Sequence, residues 1–386
     1  NTGIARLLLS HGADVNKATD GTTPLHCAAL AGNKEILRVL LEQKGVQSDA
    51  VDKEGNTALH LVAAGSSSVK CAKLLIKHGA KSQHLTNNKG YTPYQIAQKS
   101  AKLALAVQGK IVTNHFKPKE ERPSAVALDR HSQTLFLVGD TEKTIAAHKY
   151  PTGEHLRDIG KEGKEDGQLN SPEGLAYYKG HVYVVEQWEH RLQIFNSETG
   201  DFVTRFGSEG DEDGQFNYPR GVTVDEDDGS IWVVDRNSVH VLSFDGTSVK
   251  FVRKFEAKQQ ALKIAILKGS GAEGKRLVLM AEKKILIFDP RDGKKLANFR
   301  KLTGSRYYEL SDVTVDSHNN IIVNDPKANK ISVLKSTGAH VLTFGVKGDE
   351  VGMIAGAKGI CFDGKDSLIV ADTDNNRIQV FRLPHY

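Results

Sequence analysis

The sequence predicts a multidomain protein in which an α-helical repeat array, an α-solenoid, precedes an all-β ring of six similar units. Two observations carry this prediction. Residues 120–386 repeat one pattern six times, with four short apolar strands per copy and an acidic residue at the end of the second strand. Residues 1–107 repeat a helical pattern in which Gly21, Gly55 and Gly90 are 34 and 35 residues apart. Periods of about 20 to 50 residues are typical of proteins built from stacked repeats.

The six copies in the second part predict a β-propeller. Their first strands end at residues 129, 178, 225, 267, 316 and 363, so the period is 42 to 49 residues. A twisted four-stranded sheet with two apolar faces must pack between two neighbours, and a closed ring covers every face. The sixth copy lacks a fourth strand. Residues 109–116 (GKIVTNHF) are similar to the fourth strands of other copies, so we expect them to complete that blade and close the ring.

Three stretches in this part resemble the NHL repeat. They are residues 167–174 (GQLNSPEG), 214–221 (GQFNYPRG) and 372–381 (DTDNNRIQVF), and the resemblance covers about 70% of the chain. NHL propellers of tripartite-motif regulators recognise RNA or protein on the rim formed by the second-to-third-strand loops and the connections between blades. Those regulators carry ubiquitin-ligase modules ahead of the propeller. The RING, B-box and coiled-coil patterns of such modules are absent from this sequence.

The helical part resembles the ankyrin repeat, on the stretches 20–26 (DGTTPLH) and 55–60 (GNTALH), each followed by an apolar helical pattern. In such a repeat Thr23 can cap the first helix, and Pro24 fills its first position, where a missing N–H costs nothing. The resemblance implies that His26 and His60 hydrogen-bond the neighbouring loop. We therefore expect a structural role for both histidines and no metal site.

The predicted boundaries place ankyrin repeats in 1–107, a closing strand and linker in 108–119, and a six-bladed NHL-type propeller in 120–386. The first repeat is expected to be truncated, because 1–16 supply only its second helix. Polar residues among apolar ones at about 94–107 predict a capping helix. Since only a residue or two follows that helix before the closing strand, we expect a nearly fixed orientation between the two modules.

Composition excludes several classes of protein. With 26% charged and 39% hydrophobic residues the chain resembles an ordinary soluble protein, and no apolar run reaches the ~20 residues of a membrane span. Three cysteines without CxxC spacing indicate buried thiols in a reducing compartment, so we expect a cytoplasmic location. The net charge is +6 in residues 1–107 and −1 in the remainder. Nucleic-acid binding would therefore need a local basic patch, and DNA is not a predicted partner.

The sequence does not contain a recognisable catalytic constellation or a phosphate-cradling loop. Propeller lyases bind zinc through histidines around the channel, but the innermost strands predicted here carry none. Lactonase-type propellers bind a metal through converging oxygen ligands, which Asp140, Asp235, Asp325 and Asp372 could imitate, yet their neighbours are lysines and arginines. These acids and the bases near them either pair within and between blades or form a polar rim that accepts a ligand. We predict a protein that is not an enzyme and needs no cofactor.

The predicted function is a cytoplasmic scaffold or adaptor that binds protein partners through the ankyrin repeats and the propeller rim. The alternative is an NHL-type regulator that binds single-stranded RNA, or the substrate-recognition part of a ubiquitin-ligase system. Aromatic and basic residues in predicted loops are the types that dominate interface hot spots. The rim candidates are Trp188, His190, Arg220, Arg236, Lys263, Arg306, Tyr307, Tyr308, Lys327, Lys330 and Arg377. The candidates in the ankyrin finger loops are Lys53, Glu54, Asn56, Asn88 and Lys89.

Overall fold

A computed structural model confirms the predicted fold class, helical repeats followed by a six-bladed propeller. Contacts divide the chain into two units, Asn1–Ile111 and Val112–Tyr386. The structure describes residues 2–65, 69–80, 85–97, 112–119, 122–141, 143–269, 274–281, 283–299, 301–302, 305–306 and 309–383.

The first unit consists of short helices joined by tight turns. Residues 98–107 of the predicted capping helix lie outside the part of the chain that the structure describes. The described helices are α1 (Thr2–Ser10), α2 (Pro24–Leu30), α3 (Lys34–Leu41), α4 (Ala58–Ala64), α5 (Val69–Lys77) and α6 (Pro93–Ala97).

Helices α2 and α4 begin as the ankyrin resemblance implies. The hydroxyl of Thr23 accepts the backbone N–H of His26 at 3.4 Å, and the N–H of Thr23 donates to His26 Nδ1 at 3.2 Å. Because Nδ1 accepts this hydrogen bond, the ring proton is on Nε2, which donates to the carbonyl of Asn56 in the next repeat at 3.0 Å. His60 makes the same bonds, with Tyr91 as the acceptor in the next loop at 3.0 Å. Both histidines are structural, as expected.

The second unit starts with strand β1 (Val112–Phe116) and continues through six four-stranded sheets. Blade one contains β2 (Pro123–Asp129), β3 (Thr134–Gly139), β4 (Ile145–Lys149) and β5 (Glu154–Ile159). A short parallel pair, β6 (Lys161–Glu162) and β7 (Gln168–Leu169), leads into blade two. Blade two contains β8 (Pro172–Tyr178), β9 (His181–Glu186), β10 (Arg191–Asn196) and β11 (Phe202–Phe206).

The remaining blades repeat this order. Blade three contains β12 (Pro219–Val224), β13 (Ile231–Asp235), β14 (Ser238–Phe244) and β15 (Val249–Glu256). Blade four contains β16 (Ala261–Leu267), β17 (Arg276–Ala281), β18 (Lys284–Phe288) and β19 (Lys295–Phe299), followed by the short strands β20 (Lys301–Leu302) and β21 (Ser305–Arg306). Blade five contains β22 (Asp312–Val315), β23 (Ile321–Asp325), β24 (Lys330–Leu334) and β25 (His340–Phe344). Blade six contains β26 (Ile360–Phe362), β27 (Ser367–Asp372) and β28 (Arg377–Arg382).

Strand β1 closes the ring, which confirms the prediction for residues 112–116, whereas residues 109–111 of the predicted stretch lie outside the described part of the chain. It pairs antiparallel with β28, with Phe116 opposite Ile378, and becomes the outermost strand of blade six. The N-terminal strand therefore supplies what the C-terminal blade lacks, and the edge of β28 is covered.

The apolar core of the ring lies between blades. Val233 of blade three packs with Tyr183 and Phe216 on one face, whereas Val234 belongs to the cluster on the opposite face with Leu279 of blade four. Side chains that alternate along a strand thus enter two different inter-blade cores. The loops at either end are consequently held at set positions around the axis.

Candidate functional site

The rim predicted from the sequence lies at the end of the ring where each second strand meets the third. First and second strands are antiparallel, so the start of every innermost strand lies at this same end. The structure separates the candidate residues there into three groups: side chains buried within blades, a cluster between blades two and three, and residues at the mouth of the central channel.

Arg377 belongs to the interior. Its Nε donates to Asp372 at 2.7 Å, and its remaining nitrogens donate to the carbonyls of Asp349 at 2.7 Å and Met353 at 2.8 Å. The side chain is 8% exposed and that of Asp372 is 0% exposed. Blade two repeats the arrangement with Arg191 and Glu186, joined at 2.6 Å. The prediction that acids and bases pair within blades is confirmed for these two blades.

Two further rim candidates also contact the protein itself. Lys330 donates to the carbonyl of Gly345 at 2.8 Å, and burial lowers the pKa of its ammonium. His190 is 7% exposed, and its Nδ1 lies 3.1 Å from the carbonyl of Phe216. Lys330, His190 and Arg377 therefore support the rim from inside.

Blade three departs from this arrangement. Ser238 stands opposite Asp235, at the position of Arg191 and Arg377 in the other blades. The carboxylate of Asp235 accepts the N–H of Asn217 at 2.7 and 2.8 Å, as the acids of blades two and six accept the equivalent N–H, and it lies 3.5 Å from His240 Nε2. The arginine of this loop, Arg236, is exposed, and its φ is +48°.

Trp188, Tyr218, Arg220 and Arg236 come together between blades two and three, and we call this cluster the blade-three corner. The Trp188 ring meets the Tyr218 ring edge-on, with centroids 5.2 Å apart and an interplanar angle of 83°. The guanidinium carbon of Arg236 lies 5.7 Å from the centroid of Tyr218, a cation–π contact. Buried His190 supports Tyr218 from behind, with ring centroids 4.9 Å apart.

Hydrogen bonds and exposure define the outer part of the blade-three corner. With the Gln187 amide oriented to satisfy both partners, its oxygen accepts from Arg220 Nε at 3.1 Å and Nη2 at 2.9 Å. Trp188 remains 61% exposed. A rigidly held aromatic ring beside two arginines is typical of a protein interface hot spot.

Tyr218 was not among the predicted residues. It has a φ of +68°, which is rare for a bulky side chain, and it precedes Pro219 where blade two has Ser171 before Pro172. This replacement of a small residue by an aromatic one in an otherwise repeated motif was the sequence feature that could have identified Tyr218.

The central channel has a volume of about 820 Å³ and is lined by the six innermost strands. At its rim end, Lys263 donates to the carbonyls of Glu173 at 2.6 Å and Arg220 at 3.3 Å. At the opposite end, Glu226 accepts from Arg130 at 2.8 Å and Lys268 at 2.9 Å, which links blades one, three and four.

Asp312, at the rim end of the channel, is the second residue that the sequence analysis missed. Its carboxylate accepts the N–H groups of Val313 and Ile360, both at 2.9 Å, and it forms no ion pair with a described residue. Burial raises the pKa of Asp312 to about 6, although the charge of Lys263 opposes the shift. Lys263 and Asp312 occupy the position in their blades that Gly174 and Gly221 occupy in blades two and three. The replacement of glycine by a charged residue was the sequence feature that could have identified Asp312.

The other candidates are dispersed. Lys327 pairs with Glu309 at 2.7 Å. Arg306 ends β21, and Tyr307 and Tyr308 lie outside the described residues. In the ankyrin finger loops Lys53, Glu54 and Lys89 are exposed, whereas the side chains of Asn56 and Asn88 hydrogen-bond Asp52 and the carbonyl of Lys53.

The described residues also bear on metal binding and on membrane insertion. No group of three or more His, Cys, Asp or Glu side chains among them could hold a metal ion. Within the same ranges, no helix is long and apolar enough to cross a bilayer.

Family models match both parts of the chain. Ankyrin repeats (3 copies) match residues 1–52 and 44–107, a 6-bladed beta-propeller model matches 157–269, and the NHL repeat matches 355–381. These repeats are typically non-catalytic interaction domains.

Curated relatives match over short stretches. Rabankyrin-5 of Mus musculus is 34% identical over 122 residues, which is 28% of this chain and 10% of the relative. Inversin of Gallus gallus is 44% identical over 77 residues, 20% of this chain and 7% of the relative. The chain thus spans a tenth or less of the length of these proteins.

Solved structures match the propeller distantly. A catalytically inactive virginiamycin B lyase from Staphylococcus aureus with quinupristin has 14% identity and a TM-score of 0.49, over 70% of this chain and 99% of that one. A streptogramin B lyase has a TM-score of 0.46 at 14% identity, over 71% of this chain and 87% of that one. The chain consists of ankyrin repeats followed by a six-bladed β-propeller with an NHL repeat.

Proposed function

We propose that this protein is a non-enzymatic cytoplasmic scaffold that binds one protein through its ankyrin repeats and another through the rim of the propeller. The observation that carries the proposal is the blade-three corner, where Trp188 is 61% exposed yet its ring is held against Tyr218. An exposed tryptophan held in one orientation loses little conformational entropy when a partner covers it. Cys71 is buried as expected, whereas Cys27 is exposed and Cys361 is half-buried, so the expectation of buried thiols is wrong for these two. Cys27 and Cys361 are free thiols, in keeping with the cytoplasm.

The ankyrin part supports a second binding surface. The finger loops are joined to one another, since Asn88 donates to the carbonyl of Lys53 at 3.0 Å and Asn87 donates to Asn56 at 2.8 Å. These bonds leave the charged side chains of Lys53, Glu54 and Lys89 exposed at the loop tips. A row of ordered loops with charged tips suits recognition of a protein surface.

The test compares proteins retained from a cell lysate by the full chain and by matched variants, using quantitative mass spectrometry. Trp188→Ala is expected to lose one set of partners, and Lys53→Glu with Lys89→Glu a different set. Arg291→Ala is the control, because Arg291 is 84% exposed and lies on an outer turn of blade four. If all variants retained the same proteins as the native chain, the scaffold proposal would be wrong.

Single-stranded RNA is the second candidate ligand of the rim. The observation in its favour is the exposed Trp188 ring beside Arg220 and Arg236, because bases stack on aromatic rings and phosphates pair with arginine. Titration of labelled oligouridine at low and near-physiological salt tests it. Binding that is micromolar or tighter and weakens steeply with salt would support this candidate, and its absence would remove it.

A further inference from the structure

We propose that the blade-three corner binds a carboxylate-bearing peptide segment of a protein partner, through the open donor edge of Arg236 and the exposed face of Trp188. This inference rests on the proposed function, because it specifies the chemistry of the partner that the rim would recognise. It depends on three features: the unused donors of Arg236, the fixed position of its side chain, and the charges around it.

The donors of Arg236 are unused. A guanidinium has five N–H donors in a planar fork. The guanidinium carbon of Arg236 lies 5.7 Å from the centroid of the Tyr218 ring, and no hydrogen bond or ion pair joins its nitrogens to a described residue. The guanidinium of Arg191 contrasts with it, because its nitrogens donate to Glu186 and to the carbonyls of Lys164 and Gln168. A carboxylate fits the open fork through two parallel charge-assisted hydrogen bonds.

The residues that form the blade-three corner are ordered before any partner binds. Tyr218 is held by ring contacts with Trp188 and His190. Both Tyr218 and Arg236 have left-handed backbone conformations, with φ of +68° and +48°, which are costly for side chains of these types. Strained but well-supported residues of this kind concentrate at binding sites, because an ordered site loses less entropy on binding.

The surrounding charges favour a short peptide over a nucleic acid. The connection that carries Tyr218 also carries exposed acids, and Lys254 pairs with only one of them, Asp213, at 3.3 Å. A single carboxylate can reach Arg236 while its flanking residues avoid these acids, whereas the regularly spaced phosphates of RNA would meet them. The exposed acids are Glu209, Asp211, Glu212 and Asp213.

Trp188 adds a requirement for an apolar neighbour. Because the exposed Trp188 ring contacts the same Tyr218 ring as Arg236 does, the peptide should place an aromatic or aliphatic side chain near its carboxylate. The protein has two tryptophans, and the other, Trp232, is 5% exposed. Tryptophan fluorescence therefore reports mainly on Trp188 when a ligand covers the blade-three corner.

The experiment titrates the full chain with four probes of similar length. Three are soluble nine-residue peptides with a central Phe flanked by Glu, by Gln or by Lys, and the fourth is oligouridine. The Glu peptide is expected to change the Trp188 emission and to saturate. The Gln peptide has the same shape without the charge. We expect it to bind about tenfold more weakly, because its neutral amide cannot form the ion-paired hydrogen bonds that a carboxylate forms with Arg236. The Lys peptide should not bind.

Two arginine variants locate the interaction. Arg236→Lys keeps the charge but removes the planar fork and its stacking, so affinity for labelled Glu peptide should fall about five- to tenfold. Arg291→Lys is the matched control, because Arg291 is exposed and already paired with Asp289 at 2.6 Å. That variant should bind the Glu peptide as the native chain does.

Equal binding of the Glu and Gln peptides, an unchanged affinity in Arg236→Lys, or tighter binding of oligouridine would each overturn the inference. These results are distinguishable from failure of the scaffold proposal. If no peptide binds but Trp188→Ala still loses protein partners, the rim binds proteins and the carboxylate inference alone is wrong.

Discussion

Blades six and three place their arginines in opposite environments. In blade six, four residues separate Asp372 from its opposite partner Arg377, and Asn376 takes the left-handed position with a φ of +50°. In blade three, two residues separate Asp235 from Ser238, and Arg236 itself takes the left-handed position with a φ of +48°. The shorter loop moves the arginine out of the blade and onto the rim.

The difference shows how one residue type serves two roles in a repeated fold. Arg377 neutralises a buried carboxylate and donates to backbone carbonyls, so its contribution is to stability. The guanidinium carbon of Arg236 lies 5.7 Å from the centroid of the Tyr218 ring, and we propose that this exposed arginine contributes to binding. Where four residues separate the second and third strands, the arginine pairs inside the blade, and where two residues separate them, the arginine of the loop is exposed.

The largest expected effect comes from removing the buried arginine. Arg377→Met leaves Asp372 buried without its counter-ion, which should lower the free energy of unfolding by about 3–5 kcal/mol. Arg236→Met removes an exposed cation–π contact, which is worth about 0.5–1 kcal/mol. Chemical denaturation of the two variants measures both changes. Equal losses would show that the two arginines do not differ in role.

The free energy of unfolding is expected to depend on pH through Asp312 at the channel mouth, because its carboxylate has no counter-ion of the kind that Arg377 supplies to Asp372. Burial raises the pKa of Asp312 from 3.8 to about 6, so its ionised form is disfavoured in the folded protein. The native chain should therefore lose stability, relative to Asp312→Asn, as the pH rises from about 4 to about 6. Above pH 7 the difference between the two should be constant.

Denaturation midpoints of both proteins at several pH values test this expectation. Comparing the two chains cancels the titration of other groups, which they share. A stability difference that does not change between pH 4 and pH 7 would contradict the shifted pKa of Asp312.

The smallest expected effect concerns the backbone of Arg236. Arg236→Asn and Arg236→Met both lose the contact with Tyr218, but asparagine tolerates a positive φ and methionine does not. The Asn variant should therefore be more stable than the Met variant by about 0.5–1 kcal/mol, while neither binds the Glu peptide. Equal stability of the two variants would mean that this left-handed position carries no strain.

Much of the fold could be predicted because each repeat shows the same local pattern of strands, turns and helix caps in the sequence. The period of the copies and the strand-like stretch 109–116 were sufficient to predict six blades and their closure by β1. The rim candidates were predicted from residue type and loop position, and they included both Arg236 and Arg377, although pairing with an acid was one expectation for Arg377. The structure assigns them to different environments, and it adds Tyr218 and Asp312.

The sequence by itself determined which elements form, because strand periodicity, turn residues and helix caps act between residues that are close in the chain. It also determined that the chain contains two repeat modules. Only the tertiary structure decided which side chains meet. Trp188 and Tyr218 are brought into contact by the packing of blade two against blade three, and Lys263 and Asp312 by the meeting of innermost strands at the axis. A charged side chain can be buried in an ion pair or exposed to solvent. Which of the two occurs depends on how loop length and burial act together in the folded ring, and no local pattern specifies that outcome.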